Sequence, residues 1–313
     1  MKRGTLLAYL AFGIVCVVWG TTYLAIRVGL ETIPPLAMTA LRFGIAGAIM
    51  LIIARARGEQ IPRDARTLRE IAIVGLLMVG VGNLAVVWAE QWVPSGTAAL
   101  FVATAPFWMA ILEAFRTGGE RLDRRSGLGM LIGFAGVALL VRPEAGEAST
   151  FYFVLGALVI QIGSIGWQLG SLRGKYHVKN VPLMTSAALQ MLAGGIAVGL
   201  ISLLLGEPAR FSLNTRTFAA LAYLTLLGSV VAYSAYVYAL AHLRTSKLSL
   251  YAYVNPVIAV IAGWLILDEQ LTLRSVMAMA IILGGVAMVQ SNRFRTHAVR
   301  HTTGSRGEEK TAA

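Results

Sequence analysis

The sequence predicts an all-α integral membrane protein with ten transmembrane helices, arranged as two inverted repeats of five helices each. Three observations support this fold class. Of the 313 residues, 57% are hydrophobic and 13% are charged, whereas soluble proteins carry roughly 25% charged residues. The hydrophobic residues form ten segments that are each long enough to cross a bilayer. The last five segments repeat sequence landmarks of the first five, as in transporters built from internal repeats.

Each hydrophobic segment is expected to be a helix, because backbone polar groups in hydrocarbon must form hydrogen bonds within their own segment. Crossing the hydrocarbon layer takes roughly 17–25 residues, and all ten segments comply. With ends placed to within roughly 2–4 residues, the predicted helices are 5–26, 33–54, 70–89, 96–115, 125–141, 151–172, 183–205, 217–240, 247–267 and 273–291.

Lysine and arginine are concentrated in alternate connectors between these segments. One side of the predicted membrane carries 21 of the 27 Lys and Arg residues, the other carries five, and Arg42 lies inside the second helix. The excess of positive charge marks the cytoplasmic side. We therefore predict a multi-pass protein of the cytoplasmic membrane with both termini in the cytoplasm. The same distribution accounts for the net charge of +12 without a nucleic-acid partner.

The internal repeat is clearest around helices four and nine. Pro106 and Pro256 lie in the middle of these helices, and the sequences at 120–122 and 269–271 follow them as matching landmarks. Because each half has an odd number of helices, the two halves must have opposite orientations. The chain is accordingly divided into a first repeat at 1–147, a second repeat at 148–291 and a disordered basic tail at 292–313.

The two matched prolines are the predicted gating residues. Each lacks an N–H group and clashes with the carbonyl four residues earlier, which frees the carbonyls of Val102 and Ala252. Matching positions in the two halves favour a pair of hinges beside a central site. A static kink at Pro106 and Pro256 is the alternative, since proline is common in membrane helices.

Arg42 is the only basic residue inside a predicted helix centre. An arginine at that depth costs at least about 2.5–3.5 kcal/mol on insertion scales, so its side chain should face the bundle interior. One interpretation is that Arg42 binds a carboxylate or other anion on the substrate, or forms a gating pair with Glu113 or Glu90. The other is capping of backbone carbonyls. Since arginine remains charged at any working pH, Arg42 cannot carry a transported proton.

Amide and aromatic residues complete the predicted substrate site. Gln161, Ser164 and Gln168 occupy positions i, i+3 and i+7 of helix six and therefore share a face. Buried amides line a solute path or bond neighbouring helices. Deep aromatic rings suit a zwitterionic or amphiphilic solute, with ordinary packing as the alternative. The predicted substrate-binding residues are Trp19, Arg42, Asn83, Gln161, Gln168, Tyr233 and Asn255.

Carboxylates are absent from the centres of the predicted helices, whereas a proton antiporter for cationic drugs needs a deep one. Glu113 is the first candidate for a proton-coupling residue and Glu90 the second; solvated helix-end carboxylates are the alternative. The single cysteine, Cys16, excludes a disulfide within the chain and a cysteine metal cluster. The sequence also lacks the phosphate-loop, HExxH and GxSxG motifs. We therefore expect no enzymatic activity, no cofactor and no metal site.

Several short motifs resemble those of one known family. They are Trp19-Gly20-Thr21-Thr22-Tyr23, Arg42-Phe43, Pro94-Ser95-Gly96 and Tyr251-Ala252-Tyr253-Val254-Asn255-Pro256, which are similar to signatures of the EamA family in the drug/metabolite transporter (DMT) superfamily. Ala89-Glu90-Gln91 looks most like the YedA-like branch of that family. The resemblance covers about residues 8–291. It implies a ten-helix inverted-repeat fold in the cytoplasmic membrane and export of metabolites or drugs.

These observations predict a secondary transporter that exports a small organic metabolite, amino-acid-like or amphiphilic, by alternating access around a midplane cavity. Two alternatives stay open: a proton-coupled multidrug antiporter, and a membrane receptor or scaffold that transports nothing. The expected partners are the lipid bilayer and a small-molecule substrate, with a proton as a candidate co-substrate. The sequence leaves open the substrate, the coupling ion, the direction, and the choice between monomer and homodimer.

Overall fold

The computed structural model of the chain describes residues 3–116, 124–140, 147–243, 248 and 251–288. Within these residues the chain is mostly helical and has no β-strand, which confirms the predicted all-α class. The described helices are α1 (Arg3–Gly29), α2 (Pro35–Ala56), α3 (Ala65–Ala89), α4 (Ser95–Phe115), α5 (Arg124–Leu140), α6 (Glu147–His177), α7 (Leu183–Leu204), α8 (Thr215–His242), α9 (Tyr251–Leu267) and α10 (Leu273–Met288). The predicted tail at 292–313 and the landmark at 120–122 lie outside the described residues.

Seven of these helices, α1 to α4 and α6 to α8, are long and apolar enough to cross a membrane. Helices α5 and α9 have 17 residues each, and α10 belongs to the same shorter class. Some helices extend beyond the predicted segments. Helix α1 covers Arg3–Gly29 and α6 covers Glu147–His177, because helical hydrogen bonds continue past the point where the sequence stops being apolar.

The helices run alternately between two ends of the bundle. We name these the Arg27 end, where α1 ends, and the Arg116 end, where α4 ends. Arg27 contacts the backbone of Glu90 just after α3, which places the last residues of α3 at the Arg27 end. Arg173, near the last residue of α6, pairs with Glu70 near the start of α3 at 2.6 Å, at the Arg116 end. Helix α1 and helix α6 therefore begin at opposite ends of the bundle.

Two glutamates tie equivalent helices of the two halves together. Glu59 follows α2 and accepts hydrogen bonds from the backbone N–H (3.0 Å) and hydroxyl (2.7 Å) of Thr185 at the start of α7. Glu207 follows α7 and accepts bonds from the backbone N–H groups of Leu36 (3.4 Å) and Ala37 (2.7 Å) at the start of α2. The first N–H groups of a helix have no partner within it, and the helix dipole favours negative charge there. Each half thus caps a helix of the other.

The same local turn places both of these glutamates. Each directly follows a glycine with a positive φ, 77° at Gly58 and 69° at Gly206. Glycine adopts this left-handed conformation readily because it has no Cβ, and it commonly ends helices in this way. The Gly-Glu pair after α2 and after α7 is therefore a repeated device that ends one helix and caps another.

Helices α3 and α8 contain π-helical stretches at equivalent positions, Leu76–Asn83 and Leu224–Val231. These stretches were not predicted, because apolar periodicity does not distinguish a π-turn from an α-turn. π-turns are rare and often occur at functional sites. Here they carry Asn83 and Ser229 to the interior of the bundle.

The expectation of two broken helices holds for α4 only. Helix α4 is interrupted at Ala103 and Thr104, just before Pro106, whereas α9 continues through Pro256. With its amide assigned so that the nitrogen faces carbonyls, Asn255 donates to the Tyr251 carbonyl at 3.1 Å. This side chain supplies, within α9 itself, a partner for a carbonyl near the proline.

Glycines allow close contacts between helices inside the chain. A methyl group added at Gly194 of α7 would lie 2.7 Å from the carbonyl oxygen of Gly75 in α3. One added at Gly285 of α10 would lie 2.5 Å from the carbonyl oxygen of Gly129 in α5. Small residues are the usual means of close helix packing in membranes. Gly194 and Gly285 therefore serve contacts within one chain.

Candidate functional site

A narrow cavity of about 70 Å³ lies inside the bundle between α1, α2, α3, α4, α6 and α9. Five of the seven residues predicted to bind substrate line it: Trp19, Arg42, Asn83, Gln168 and Asn255. The other two, Gln161 and Tyr233, are not part of its lining. Residues from both halves of the chain thus meet at one internal site.

Arg42 is 2% exposed, and its guanidinium reaches the cavity from α2. Its Nε donates to the hydroxyl of Ser229 at 2.8 Å, from the π-helical stretch of α8. Its Cζ lies 4.7 Å from the ring centre of Phe43. Its Nη1 has no hydrogen-bond partner within the described part of the chain. Because a buried guanidinium with an unused donor is costly, this atom is suited to bind an anion.

Two further polar atoms of residues at the cavity also lack hydrogen-bond partners in the described ranges. They are the side-chain oxygen of Asn83, at the end of the π-helical stretch of α3, and the hydroxyl oxygen of Ser164 in α6. Buried polar groups in proteins are bonded in the large majority of cases. Ser164 shares the predicted polar face of α6 with Gln168, which is 3% exposed and also lines the cavity. The cavity wall therefore offers an unused donor beside unused acceptors.

Aromatic rings form another part of the wall. The ring centre of Trp19 lies 5.3 Å from that of Trp167 and 5.6 Å from that of Tyr251, both in edge-to-face geometry. The Trp19 indole N–H donates to the Gly228 carbonyl at 3.0 Å, again in the π-helical stretch of α8. These rings give part of the cavity an apolar lining.

Trp167 was not among the predicted site residues, although the sequence contains a signal for it. Helix α2 starts at Pro35 and helix α7 starts at Leu183, an offset of 148 positions between the repeats (183 − 35). The same offset relates Trp19 to Trp167 (167 − 19). Applying the repeat to Trp19 would have identified its partner. Ser229 has no comparable signal, because its position depends on the π-helical turn.

Tyr233 belongs to the core next to the cavity. It is 1% exposed, and its hydroxyl donates to the side-chain oxygen of Gln190 in α7 at 2.9 Å. Its ring packs edge-to-face against Phe43 at 6.3 Å. Tyr233 thus supports the helix segment next to Arg42, and its hydroxyl is already bonded.

Gln161 is bonded to the interruption of α4. Its side-chain oxygen accepts from the Thr104 hydroxyl and from the Trp108 indole N–H, each at 2.8 Å. Its amide nitrogen donates to the Phe101 carbonyl at 3.2 Å. The sequence predicted that Pro106 frees the carbonyl of Val102. In the structure it is the Phe101 carbonyl that accepts extra bonds, one from the Gln161 amide and one from the Thr104 hydroxyl at 2.8 Å. Gln161 therefore connects α6 to the gating candidate in α4.

The two candidate proton-coupling residues differ in their surroundings. Glu113 lies at the Arg116 end, where its carboxylate accepts from Arg116 at 3.1 Å and from the Tyr176 hydroxyl at 3.4 Å. The hydrogen bond that Arg116 donates to Glu113 raises the pKa of Arg116. The Glu113 carboxylate is thus already neutralised by a local ion pair.

Glu90 lies in the connector between α3 and α4, at the Arg27 end, and is 0% exposed. Neither of its carboxylate oxygens has a hydrogen-bond partner among the residues that the structure describes. Arg27 lies beside it but donates to the backbone carbonyls of Glu90 and Gln91 instead. Among the described residues, no group of three or more His, Cys, Asp or Glu side chains is placed to hold a metal ion.

Comparison with known proteins gives matches along most of the chain. The EamA-like transporter family matches residues 6–142 and again residues 154–291. The uncharacterized inner membrane transporter YedA of Escherichia coli is 36% identical over 279 residues, which cover 89% of each chain. A probable terminal-alkyne amino-acid exporter of Streptantibioticus cattleyicolor is 28% identical over 302 residues, 94% of each chain. A crystal structure of another protein, 23% identical, has a TM-score of 0.66 over 91% of this chain and 96% of that one, and so shares the fold.

Two successive matches to one family agree with the duplicated pattern of the sequence and with the equivalent π-helical stretches. The apolar helices and the relatives together support a membrane transporter, and the resemblance drawn from the short motifs is confirmed. This chain belongs to the EamA-like transporter family.

Proposed function

We propose that the chain is a secondary transporter that exports a small amino-acid-like or amphiphilic solute by alternating access around the central cavity. One observation carries this proposal. Three buried polar atoms without partners, Nη1 of Arg42, the side-chain oxygen of Asn83 and the hydroxyl oxygen of Ser164, belong to residues that line one cavity. A solute that supplies the missing partners explains all three at once.

The chemistry of these atoms fits a zwitterion. The free donor of Arg42 suits a carboxylate, because charge-assisted bonds from guanidinium are strong. The oxygens of Asn83 and Ser164 can accept from an ammonium group. The rings of Trp19 and Trp167 would contact an apolar side chain. The similarity to a probable amino-acid exporter supports the same solute class.

The proposed transporter has ten transmembrane helices in two inverted repeats, 1–147 and 148–291, with Pro106 and Pro256 as hinges. The opposite starting ends of α1 and α6 support the inverted arrangement. The Arg116 end would face the cytoplasm together with both termini and the tail at 292–313, as the distribution of positive charge favours. Shorter helices such as α9, with 17 residues, would still cross the hydrocarbon, since spanning starts at about 17 residues.

Counterflow in proteoliposomes tests the proposal. Vesicles preloaded with unlabelled amino acids should accelerate entry of a labelled member of the same class without any ion gradient. Arg42→Lys keeps the charge but loses the planar fork. The loss of one charge-assisted bond, about 1.5–3 kcal/mol, should raise the half-saturation concentration roughly 10- to 100-fold. Arg216→Lys is the matched control, because Arg216 is exposed and forms an exposed ion pair with Glu31 at 3.2 Å.

Other outcomes would reject parts of this proposal. An unchanged half-saturation concentration in Arg42→Lys would remove Arg42 from the solute site. No exchange from any pool, combined with dye efflux that stops when the pH gradient collapses, would support a proton-coupled multidrug antiporter instead. Folded protein that shows neither activity would support a membrane receptor or scaffold.

A further inference from the structure

The buried carboxyl group of Glu90 is not used by the proposed solute site. Glu90 is 0% exposed, both of its side-chain oxygens lack partners, and it does not line the central cavity. An ionised carboxylate is rarely buried without a partner, because the loss of hydration is uncompensated. The geometry therefore fits a neutral, protonated carboxyl group in this conformation.

Charged and titratable groups of three other segments lie near Glu90. The neighbours are Tyr23 and Arg27 of α1, Arg42 of α2 and Glu269 of the α9–α10 connector. Arg27 donates to backbone carbonyls, and Arg42 donates through Nε to Ser229. Glu269 accepts from the backbone N–H of Ser95 at 2.8 Å and of Gly96 at 3.1 Å. None of them forms a hydrogen bond with the Glu90 carboxyl group.

Glu90 lies where the central cavity would open toward the Arg27 end. Val86, one turn before Glu90, and Ile26, next to Arg27, both line the cavity on this side. Since the Glu90 carboxyl group is completely buried, water does not reach it from either direction in this structure. A conformation that opens the cavity at the Arg27 end must hydrate this carboxyl group.

We propose that Glu90 is a pH-sensitive latch of the gate at the Arg27 end, protonated when this end is closed and ionised when it opens. The proton is taken from and returned to the same side, so the latch regulates the gate without carrying a proton across. This inference rests on the proposed function, because a gate has meaning only in a protein that alternates between two openings.

The direction of the pH effect follows from linkage. Burial and, second, the charge of Glu269 raise the pKa of Glu90 well above its ordinary value in the closed form, and Arg27 and Arg42 offset this only in part. In the open form water restores a pKa near the ordinary value of about 4.3. Protonation therefore favours the closed form. As pH rises between the two pKa values, the population ratio of the open to the closed form should increase by up to about tenfold per pH unit.

A single-cysteine labelling experiment tests the latch without a substrate. Cys16 is the only cysteine, so Cys16→Ser removes the background. Val86→Cys then reports opening of the cavity to a membrane-impermeant thiol reagent added at the Arg27 end. Leu213→Cys, at a residue that is 48% exposed beside the Arg27 end, measures the intrinsic pH dependence of the reaction.

The ratio of the two labelling rates should rise as the pH is raised above the ordinary carboxyl pKa of about 4.3, by up to about tenfold per unit. Glu90→Gln should hold the ratio low and independent of pH, and Glu90→Asp should keep a pH dependence. Glu31→Gln removes an exposed carboxylate at the same end and should leave the slope unchanged. If Glu90→Gln does not fold, Glu90→Asn provides the same test, since it also has no titratable group.

A flat ratio in the parent protein, or the same slope in Glu90→Gln, would overturn the proposal. Because labelling needs no solute, its failure is distinguishable from a failure of the proposed transport. Absence of counterflow together with a Glu90-dependent slope would reject the transported solute class and keep the latch. Counterflow without a Glu90-dependent slope would reject the latch alone.

Discussion

Gln161 and Gln168 offer a sharp test of how this structure divides its polar residues. They lie on one face of α6, seven positions and about 10 Å apart along the helix. Gln161 makes three hydrogen bonds at the interruption of α4, whereas Gln168 lines the cavity. Replacing each by leucine conserves volume and removes the amide. We expect the first change to affect stability and the second to affect solute binding.

The size of the effect follows from the bonds that are lost. Hydrogen bonds between side chains in membrane proteins contribute about 0.6 kcal/mol each on average, so the three bonds of Gln161 sum to about 2 kcal/mol. Gln161→Leu also leaves the buried indole N–H of Trp108 without its acceptor. Gln168 is bonded to Tyr251, and loss of that single bond should cost about 0.6 kcal/mol.

Two measurements distinguish these roles. Denaturant unfolding in mixed micelles gives the free energy of unfolding, and the concentration dependence of counterflow gives the half-saturation concentration. Gln161→Leu should lower the free energy of unfolding by about 2 kcal/mol and leave the half-saturation concentration unchanged in the protein that remains folded. Gln168→Leu should lower the free energy of unfolding by only about 0.6 kcal/mol and should raise the half-saturation concentration. Unchanged stability in Gln161→Leu, with weaker solute binding, would refute this division.

Two further predictions concern contacts between the halves and between helices. Glu207→Gln places a neutral amide against the backbone N–H groups that now donate to the carboxylate, and it should lower the free energy of unfolding by about 1–2 kcal/mol. The control is Glu31→Gln, which removes a carboxylate from an exposed ion pair and should cost less than about 1 kcal/mol. Equal losses in the two variants would contradict the capping role of Glu207. Gly194→Ala adds a methyl group 2.7 Å from the Gly75 carbonyl oxygen and should cost about 1–3 kcal/mol through overpacking. The control is Gly13→Ala, where an added methyl group meets no described atom within 4 Å; it should be neutral or stabilising by roughly 0.5–1 kcal/mol. Thermal unfolding measures both changes. A larger loss of stability in Gly13→Ala than in Gly194→Ala would refute the close contact.

The sequence was sufficient to predict the all-α class and five of the residues that line the cavity. Helices could be predicted because apolar length alone determines them in a membrane. Trp19, Arg42 and Asn83 were predictable because polar and amphipathic groups at mid-depth must face inward. The distinction between Gln161 and Gln168 was not predictable. Both satisfy the same rule, and only the position of α4 decides which of them finds a partner.

The candidate carboxylates show the same limit. Glu113 and Glu90 are both helix-end glutamates in the sequence, and Glu113 was the first candidate for proton coupling. The structure gives Glu113 a partner three residues away, Arg116, which the spacing already allowed. It leaves Glu90 buried and without a partner, which depends on how α1 and the α9–α10 connector cover it. Burial of this kind arises from tertiary packing, so no local sequence pattern predicts it.

The exchanged caps of α2 and α7 have a consequence for synthesis of the chain. The N–H groups at the start of α2 receive their carboxylate from Glu207, 170 residues after Ala37. The first half therefore emerges from the ribosome with that helix end uncapped, and it waits for the second half to supply the missing acceptor. A first half made alone should be short-lived in the membrane, and separately expressed halves should rescue each other. Quality control would then act on the halves as one unit.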